Sequence, residues 1–118
     1  MRTRIVILSL LLAAFGSATA HAHAFLDHAS PLVGSTVATA PPEVALTFTQ
    51  NVEAAFSSVQ VTDAKGVRVD QGKPQISGNT MRVGLKATGP GRYQVHWHVL
   101  SVDTHKTEGK FSFTVGSP

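Results

Sequence analysis

Hydrophobic and polar residues alternate over several short stretches of this chain, as is typical of half-buried β-strands. In residues 43–49, apolar side chains stand at every second position, at Val44, Leu46 and Phe48. The same alternation, enriched in β-branched and aromatic residues, predicts four further strands, at residues 56–61, 81–85, 92–100 and 110–115.

Turn-forming residues separate the predicted strands. They form four groups rich in Gly, Pro, Asn and Asp, at residues 41–42, 63–66, 77–79 and 88–91. No window of residues 23–118 shows the 3.6-residue apolar period of a helix. Short strands spaced by roughly 8–12 residues predict an all-β domain, either a sandwich or a small Greek-key barrel.

The strand at residues 92–100 has two faces of different chemistry. Successive side chains of a strand point to opposite sides of the sheet. We predict that one face of this strand packs in the core, and it consists of Tyr93, Val95, Trp97 and Val99. The last strand would supply a matching inner face with Phe111, Phe113 and Val115. The outer face then carries Gln94, His96, His98 and Leu100.

Residues 1–22 have the layout of a secretory signal peptide. Arg2 and Arg4 precede an apolar run at residues 5–15, and small residues follow. The run is about half as long as a bilayer of ~30 Å requires, and no second long apolar stretch follows it. We therefore predict an exported protein that does not span the membrane, with a mature domain of residues 23–118. Cleavage before His21 also satisfies the small-x-small rule, and either cut leaves histidine first.

Composition narrows the chemistry that this domain can perform. The chain has no Cys, so any metal must be held by nitrogen and oxygen ligands. Two of the ten Lys and Arg, but none of the seven Asp and Glu, lie in residues 1–22. Residues 23–118 therefore carry eight basic and seven acidic side chains, a formal charge of +1. The basic residues are scattered singly, so we predict no nucleic-acid partner.

Six histidines carry most of the candidate chemistry. They fall into three groups: His21, His23 and His28 near the amino terminus, His96 and His98 on one strand face, and His105 in the following loop. An amino-terminal histidine can bind one metal ion through both its α-amine and its ring nitrogen. A second imidazole would complete a T-shaped set of three nitrogens that suits tetragonal Cu(II), and Asp103 and His105 could supply the remaining ligands.

Other interpretations of these residues remain open at this level. Asp103 could instead bond backbone N–H groups in an ordinary turn. His96 and His98, two residues apart, could chelate a metal or simply be exposed. Cleavage before His21 would put His23 in third place, where the amine, two backbone amides and the His23 ring could surround Cu(II) in a square plane.

Several segments together resemble the CopC-type periplasmic copper-binding proteins. They are His23-Ala24-Phe25-Leu26 with Ser30-Pro31, the W-x-V-x-S-x-D-x-H pattern at residues 97–105, and the G-x-F-x-F-x-V pattern at residues 109–115. The resemblance covers nearly all of residues 23–118. It implies an immunoglobulin-like or cupredoxin-like β-barrel that binds one Cu(II) per chain in a histidine brace, which is a copper site built on an amino-terminal histidine.

The resemblance also implies ligands and a role. The ligands would be the amine and ring of His23, the ring of His105 and, more weakly, the carboxylate of Asp103. The protein would be a monomeric periplasmic carrier or buffer in copper homeostasis or resistance, passing copper to a membrane or periplasmic partner without catalysis. The alternatives are a copper redox enzyme of the monooxygenase kind, since such enzymes share the histidine brace, and a plain immunoglobulin-like assembly module.

The sequence departs from parts of the family pattern. Some members hold Cu(I) in a Met-rich loop, but Met81 is the only methionine here besides Met1, so we predict a Cu(II)-only member. Gln50 stands where some relatives carry a Glu that approaches the copper. A neutral amide could instead form a hydrogen bond with one of the copper ligands.

Overall fold

A computed structural model describes residues 24–86 and 88–116. The predicted signal peptide and the predicted ligand His23 lie outside the described residues. The described part of the chain forms eight strands: β1 (Leu26–Ser30), β2 (Thr36–Val37), β3 (Glu43–Phe48), β4 (Ser58–Thr62), β5 (Asp70–Ser77), β6 (Thr80–Leu85), β7 (Gly91–Leu100) and β8 (Lys106–Val115). No helix within these residues has the length and hydropathy needed to cross a bilayer.

The strands form two four-stranded sheets. One sheet has the order β1-β3-β6-β5 and the other β2-β8-β7-β4, so the chain crosses repeatedly between the sheets. Strand pairs are antiparallel except for β2 and β8, which run parallel. This architecture confirms the predicted all-β Greek-key sandwich.

The core lies between the sheets and is built by alternating side chains. Phe48 of β3 packs against Trp97 of β7 across the core, with ring centroids 5.1 Å apart in an edge-to-face arrangement. The predicted parity of β7 is confirmed, because its four inner residues are between 0% and 5% exposed: Tyr93, Val95, Trp97 and Val99. His96 and His98 consequently lie on the outer face of the sheet.

Three strands were not predicted from the pattern, and the starts of two others differ from the prediction by more than one residue. The strands β1, β2 and β5 lack a sustained apolar alternation, and β5 lies at a sheet edge, where its Pro74 is tolerated. The strand β8 begins at Lys106, four residues before the predicted start. The hydrophobic pattern missed these first residues because the inward positions are occupied by Thr107 and Gly109, which are not large apolar residues. Phe56 was wrongly predicted to begin a strand; it ends a 3-10 turn, Ala54–Phe56, and is 70% exposed.

The strands β7 and β8 pair along their whole length, from Gly91 with Val115 to Leu100 with Lys106. Gly109 lies opposite Trp97 in this register. A Cβ atom on Gly109 would lie 2.6 Å from Cζ2 of Trp97, closer than packed side chains tolerate. The absence of a side chain at Gly109 therefore lets the indole occupy its position against Phe48.

We predict that Gly109→Ala destabilises the domain. The added methyl group must displace the indole of Trp97, and such overpacking typically costs about 1–3 kcal/mol. Thermal unfolding followed by Trp97 fluorescence measures the loss. Gly89→Ala is the matched control, because a Cβ at Gly89 meets nothing within 4 Å. Equal melting temperatures for the two variants would contradict the packing argument.

Candidate metal centre

The loop between β7 and β8, residues 101–105, is organised around the buried side chain of Ser101. Ser101 is 0% exposed, and its backbone N–H donates to the carbonyl of His105 at 3.0 Å. The N–H of Thr104 donates to the carbonyl of Ser101 at 2.8 Å. Thr104 has a φ of +69°, a left-handed conformation that lets the chain reverse within this short loop. The loop is thus a closed turn with defined backbone bonds.

The hydroxyl of Ser101 also fixes the acidic side chain of the loop. The hydroxyl contacts Oδ1 of Asp103, and the N–H of His105 approaches the hydroxyl oxygen at 3.3 Å. A hydroxyl has one proton, which here is donated to the carboxylate, while its oxygen accepts from the N–H. The hydrogen bond from Ser101, reinforced by His105, holds the pKa of Asp103 below its usual value. Asp103 is therefore kept in the anionic form that binds cations.

The structure brings Asp103 and His105 together as predicted. Oδ1 of Asp103 lies 3.3 Å from Nδ1 of His105. Neighbouring ligand atoms at about 2.0–2.2 Å from one ion are separated by about 2.8 Å at a right angle and up to about 3.5 Å at the tetrahedral angle, so this pair has the spacing of two ligands of one ion. Both side chains are accessible from solvent, at 35% and 55% exposed. These two residues could therefore hold a metal ion with nitrogen and oxygen ligands.

The first described residues of the chain are anchored beside this loop. The hydroxyl of Thr107 donates to the carbonyl of Ala24 at 2.7 Å, although 83 positions separate them. Phe25 forms two bonds with Thr49: its N–H donates to the Thr49 hydroxyl and its carbonyl accepts from the Thr49 N–H, each at 2.9 Å. Ala24 itself is fully buried. The amino-terminal segment is thus held between β8 and the end of β3.

Gln50 and Met81 occupy different environments. Gln50 is half-buried in the segment after β3, and the carbonyl of the next residue, Asn51, accepts from the N–H of Val102 at 3.2 Å. Gln50 therefore lies in a segment bonded directly to the 101–105 loop. Met81 is 0% exposed in the core, so its sulfur has no access to solvent.

The remaining histidines of the described residues pair with acidic side chains outside this loop. On the outer face of β7, His96 and His98 converge on one carboxylate of β8: their Nε2 atoms lie 3.5 and 3.3 Å from Oε1 of Glu108. His28 is paired with its neighbour, with Nδ1 2.8 Å from Oδ2 of Asp27. The histidines of the described region therefore belong to three separate environments.

Sequence reasoning missed the residues that position the candidate ligands. Ser101 belongs to the S-x-D-x-H pattern, but its buried hydroxyl could be recognised only once its contacts were known. Thr107 and Glu108 carry no sequence signal of their own. Glu108 was placed before the predicted last strand, so its register opposite His98 was not anticipated. Cross-strand register is a tertiary property that these polar residues do not encode locally.

Comparison with known proteins agrees with this architecture. Protein YobA of Escherichia coli K12 is 36% identical over 102 residues, covering 80% of this chain and 79% of YobA. Copper resistance protein C of Xanthomonas campestris pv. juglandis is 34% identical over 112 residues, covering 87% of each chain.

This chain is also similar to a crystal structure and to a family model. The crystal structure of CopC from Methylosinus trichosporium OB3b superposes with a TM-score of 0.70 at 36% identity, covering 79% of this chain and 93% of that one. Residues 26–116, which include both sheets and the 101–105 loop, match the family model described as the CopC domain. The chain therefore belongs to the CopC family.

Proposed function

We propose that this protein is an exported copper carrier or buffer that holds one Cu(II) ion in a histidine brace. The ligands are the α-amine and ring of His23, the ring of His105 and the carboxylate of Asp103. The mature domain is residues 23–118, released by cleavage of residues 1–22. The protein acts in the periplasm as a monomer in copper homeostasis or resistance, and passes the ion to a membrane or periplasmic partner.

The anchoring of Ala24 is the observation that carries this proposal. Ala24 is held by Thr107, which is two residues, or about 7 Å of extended chain, beyond His105. Residue 23 is covalently bonded to Ala24, and neighbouring Cα atoms are about 3.8 Å apart. After cleavage, the amino group of residue 23 would therefore be within reach of the Asp103–His105 pair, whose ligand atoms have the spacing that one ion needs.

The chemistry of the described ligands favours Cu(II). Imidazole nitrogen suits copper, and an ionised carboxylate favours the higher charge of Cu(II) over Cu(I). The hydrogen bond from Ser101 maintains that ionised form of Asp103. The soft thioether ligand that would favour Cu(I) is withheld in the described region, because Met81 is buried in the core.

We predict that His105→Ala abolishes tight copper binding. The wild-type chain recovered from the periplasm should begin at His23 and retain one tightly held Cu(II) after desalting, as measured by intact mass with and without the metal. Because copper binds the folded state, free Cu(II) at a hundred times its Kd should raise the melting temperature of the wild type by about 10–20 °C. His105→Ala should lose both the bound mass and most of this shift.

His28→Ala is the matched control, because it also removes an exposed imidazole that lies beside a carboxylate. It should keep the copper and the thermal shift. A chain that begins at His21, keeps copper in His105→Ala and shows no thermal shift would instead indicate the local square-planar site at the terminus. Wild-type protein without bound copper would overturn both the histidine brace and the square-planar site.

We predict that Thr107→Val weakens copper binding without touching a ligand. Valine keeps the branched shape of threonine but cannot donate to the Ala24 carbonyl, and a hydrogen bond of this kind contributes about 1 kcal/mol. Loss of this anchor should lower the copper affinity about fivefold in competition titrations. Thr107→Ser, which keeps the hydroxyl, should retain wild-type affinity. Equal affinities for the valine and serine variants would show that the anchor does not position the amine.

The proposed role is carriage rather than catalysis. A carboxylate on the copper hinders cycling through Cu(I), on which a redox enzyme depends. We therefore expect no oxidised products when the copper-loaded protein is incubated with ascorbate, oxygen and a polysaccharide, as measured by mass spectrometry of the soluble sugars. Sustained formation of oxidised sugars, lost in His105→Ala, would replace the carrier with the monooxygenase alternative.

A further inference from the structure

A second group of metal-binding side chains lies on the outer face of the β2-β8-β7-β4 sheet. His96 and His98 of β7 and Glu108 of β8 each offer one ligand atom, and these atoms all lie within 4.8 Å of one another. The two imidazole rings have centroids 4.7 Å apart. All three side chains are accessible to solvent, between 41% and 64% exposed, so an ion could reach them directly.

The two nitrogen–oxygen distances fit ligands of one ion better than they fit hydrogen bonds. Both Nε2 atoms face the same carboxylate oxygen, at 3.5 Å from His96 and 3.3 Å from His98. Charge-assisted N–H···O bonds are shorter, about 2.7–2.9 Å. A tetrahedral ion with nitrogen and oxygen ligands at about 2.0–2.2 Å separates them by about 3.3–3.5 Å. The distance from each Nε2 atom to the shared oxygen is therefore close to the spacing of two ligands in a tetrahedral site.

The fold holds these residues at this spacing. The full-length pairing of β7 with β8 sets His98 opposite Glu108, and the two-residue period of β7 puts His96 on the same face. On the other side of β7, the strand β4 contributes the uncharged residues Gln60 and Ser58 opposite the two histidines. Two cations flank the group on the outer face of β8: Lys110, opposite His96, and Lys106, two residues before Glu108.

An open groove gives the group room for further ligands. His98 and Glu108 line a groove of about 470 Å³ together with Phe56, Val99, Lys106 and Thr107. Three protein ligands leave at least one coordination position for water or for an incoming group. The outer face therefore offers a partial coordination shell rather than a closed structural site.

We propose that His96, His98 and Glu108 form a second metal site, which binds a divalent transition-metal ion of the class that prefers imidazole nitrogen, represented by Zn(II) and Cu(II). Two imidazoles and one carboxylate suit both ions, and Cu(II) is generally held more tightly than Zn(II) at nitrogen and oxygen sites. The site shares no ligand with His23, Asp103 and His105, so it does not depend on the function proposed above. Glu108 lies three residues beyond His105, which limits their Cα separation to about 11 Å.

The test measures metal bound by the full mature chain in equilibrium dialysis, first with Zn(II) and then with Cu(II). The proton resonances of the His96 and His98 rings report the location of diamagnetic Zn(II). We expect His96→Gln/His98→Gln to bind one metal ion fewer than the wild type. Glu108→Gln should bind Zn(II) at least tenfold more weakly, while His28→Gln should match the wild type as the control for loss of an exposed histidine.

His105→Ala separates this site from the proposed copper brace. It should still shift the His96 and His98 resonances on addition of Zn(II), even if it no longer binds copper at the amino terminus. Cu(II) added afterwards should displace Zn(II) from the outer site. Equal metal content in the wild type and His96→Gln/His98→Gln, or the absence of ring shifts with Zn(II), would overturn the second site and leave the brace proposal unaffected.

Discussion

The antiparallel pairing of β7 with β8 is the constraint on which the other features depend. It runs through ten residue pairs, so it fixes the inward row of β7 in the core and the outward row in solvent. The same pairing brings the ends of the two strands together at the loop that carries Asp103 and His105. The close packing of Trp97 on Gly109 and the cross-sheet contact with Phe48 then tie this hairpin to the opposite sheet.

The amino-terminal end of the folded domain lies beside the turn of this hairpin. Ala24 is anchored by Thr107, and Phe25 is bonded to Thr49 at the end of β3. A metal site built from the amino terminus and the 101–105 loop would therefore exist only in the folded protein. Because binding to the native state alone adds to its stability, such a site couples copper occupancy to folding.

The two proposed metal sites lie at different places on the sheet that contains β7. The loop at its end presents a carboxylate kept ionised by the buried Ser101 hydroxyl, beside the ring of His105. The outer face presents two imidazoles around one oxygen of Glu108. The first arrangement lies within the region that matches the CopC domain, and the second arises from the histidines that this chain places on the exposed face of β7.

The sequence by itself determined the all-β class, the inward and outward rows of β7, and the pairing of Asp103 with His105. These properties are local, since the two-residue period of a strand and a spacing of two positions need no distant contacts. Only the tertiary structure decided that Ala24 lies beside Thr107 and that Glu108 faces His98. A contact across 83 positions and the register between two strands both depend on how the sheets assemble. Polar residues such as Thr107 and Glu108 belong to no local pattern that encodes this assembly.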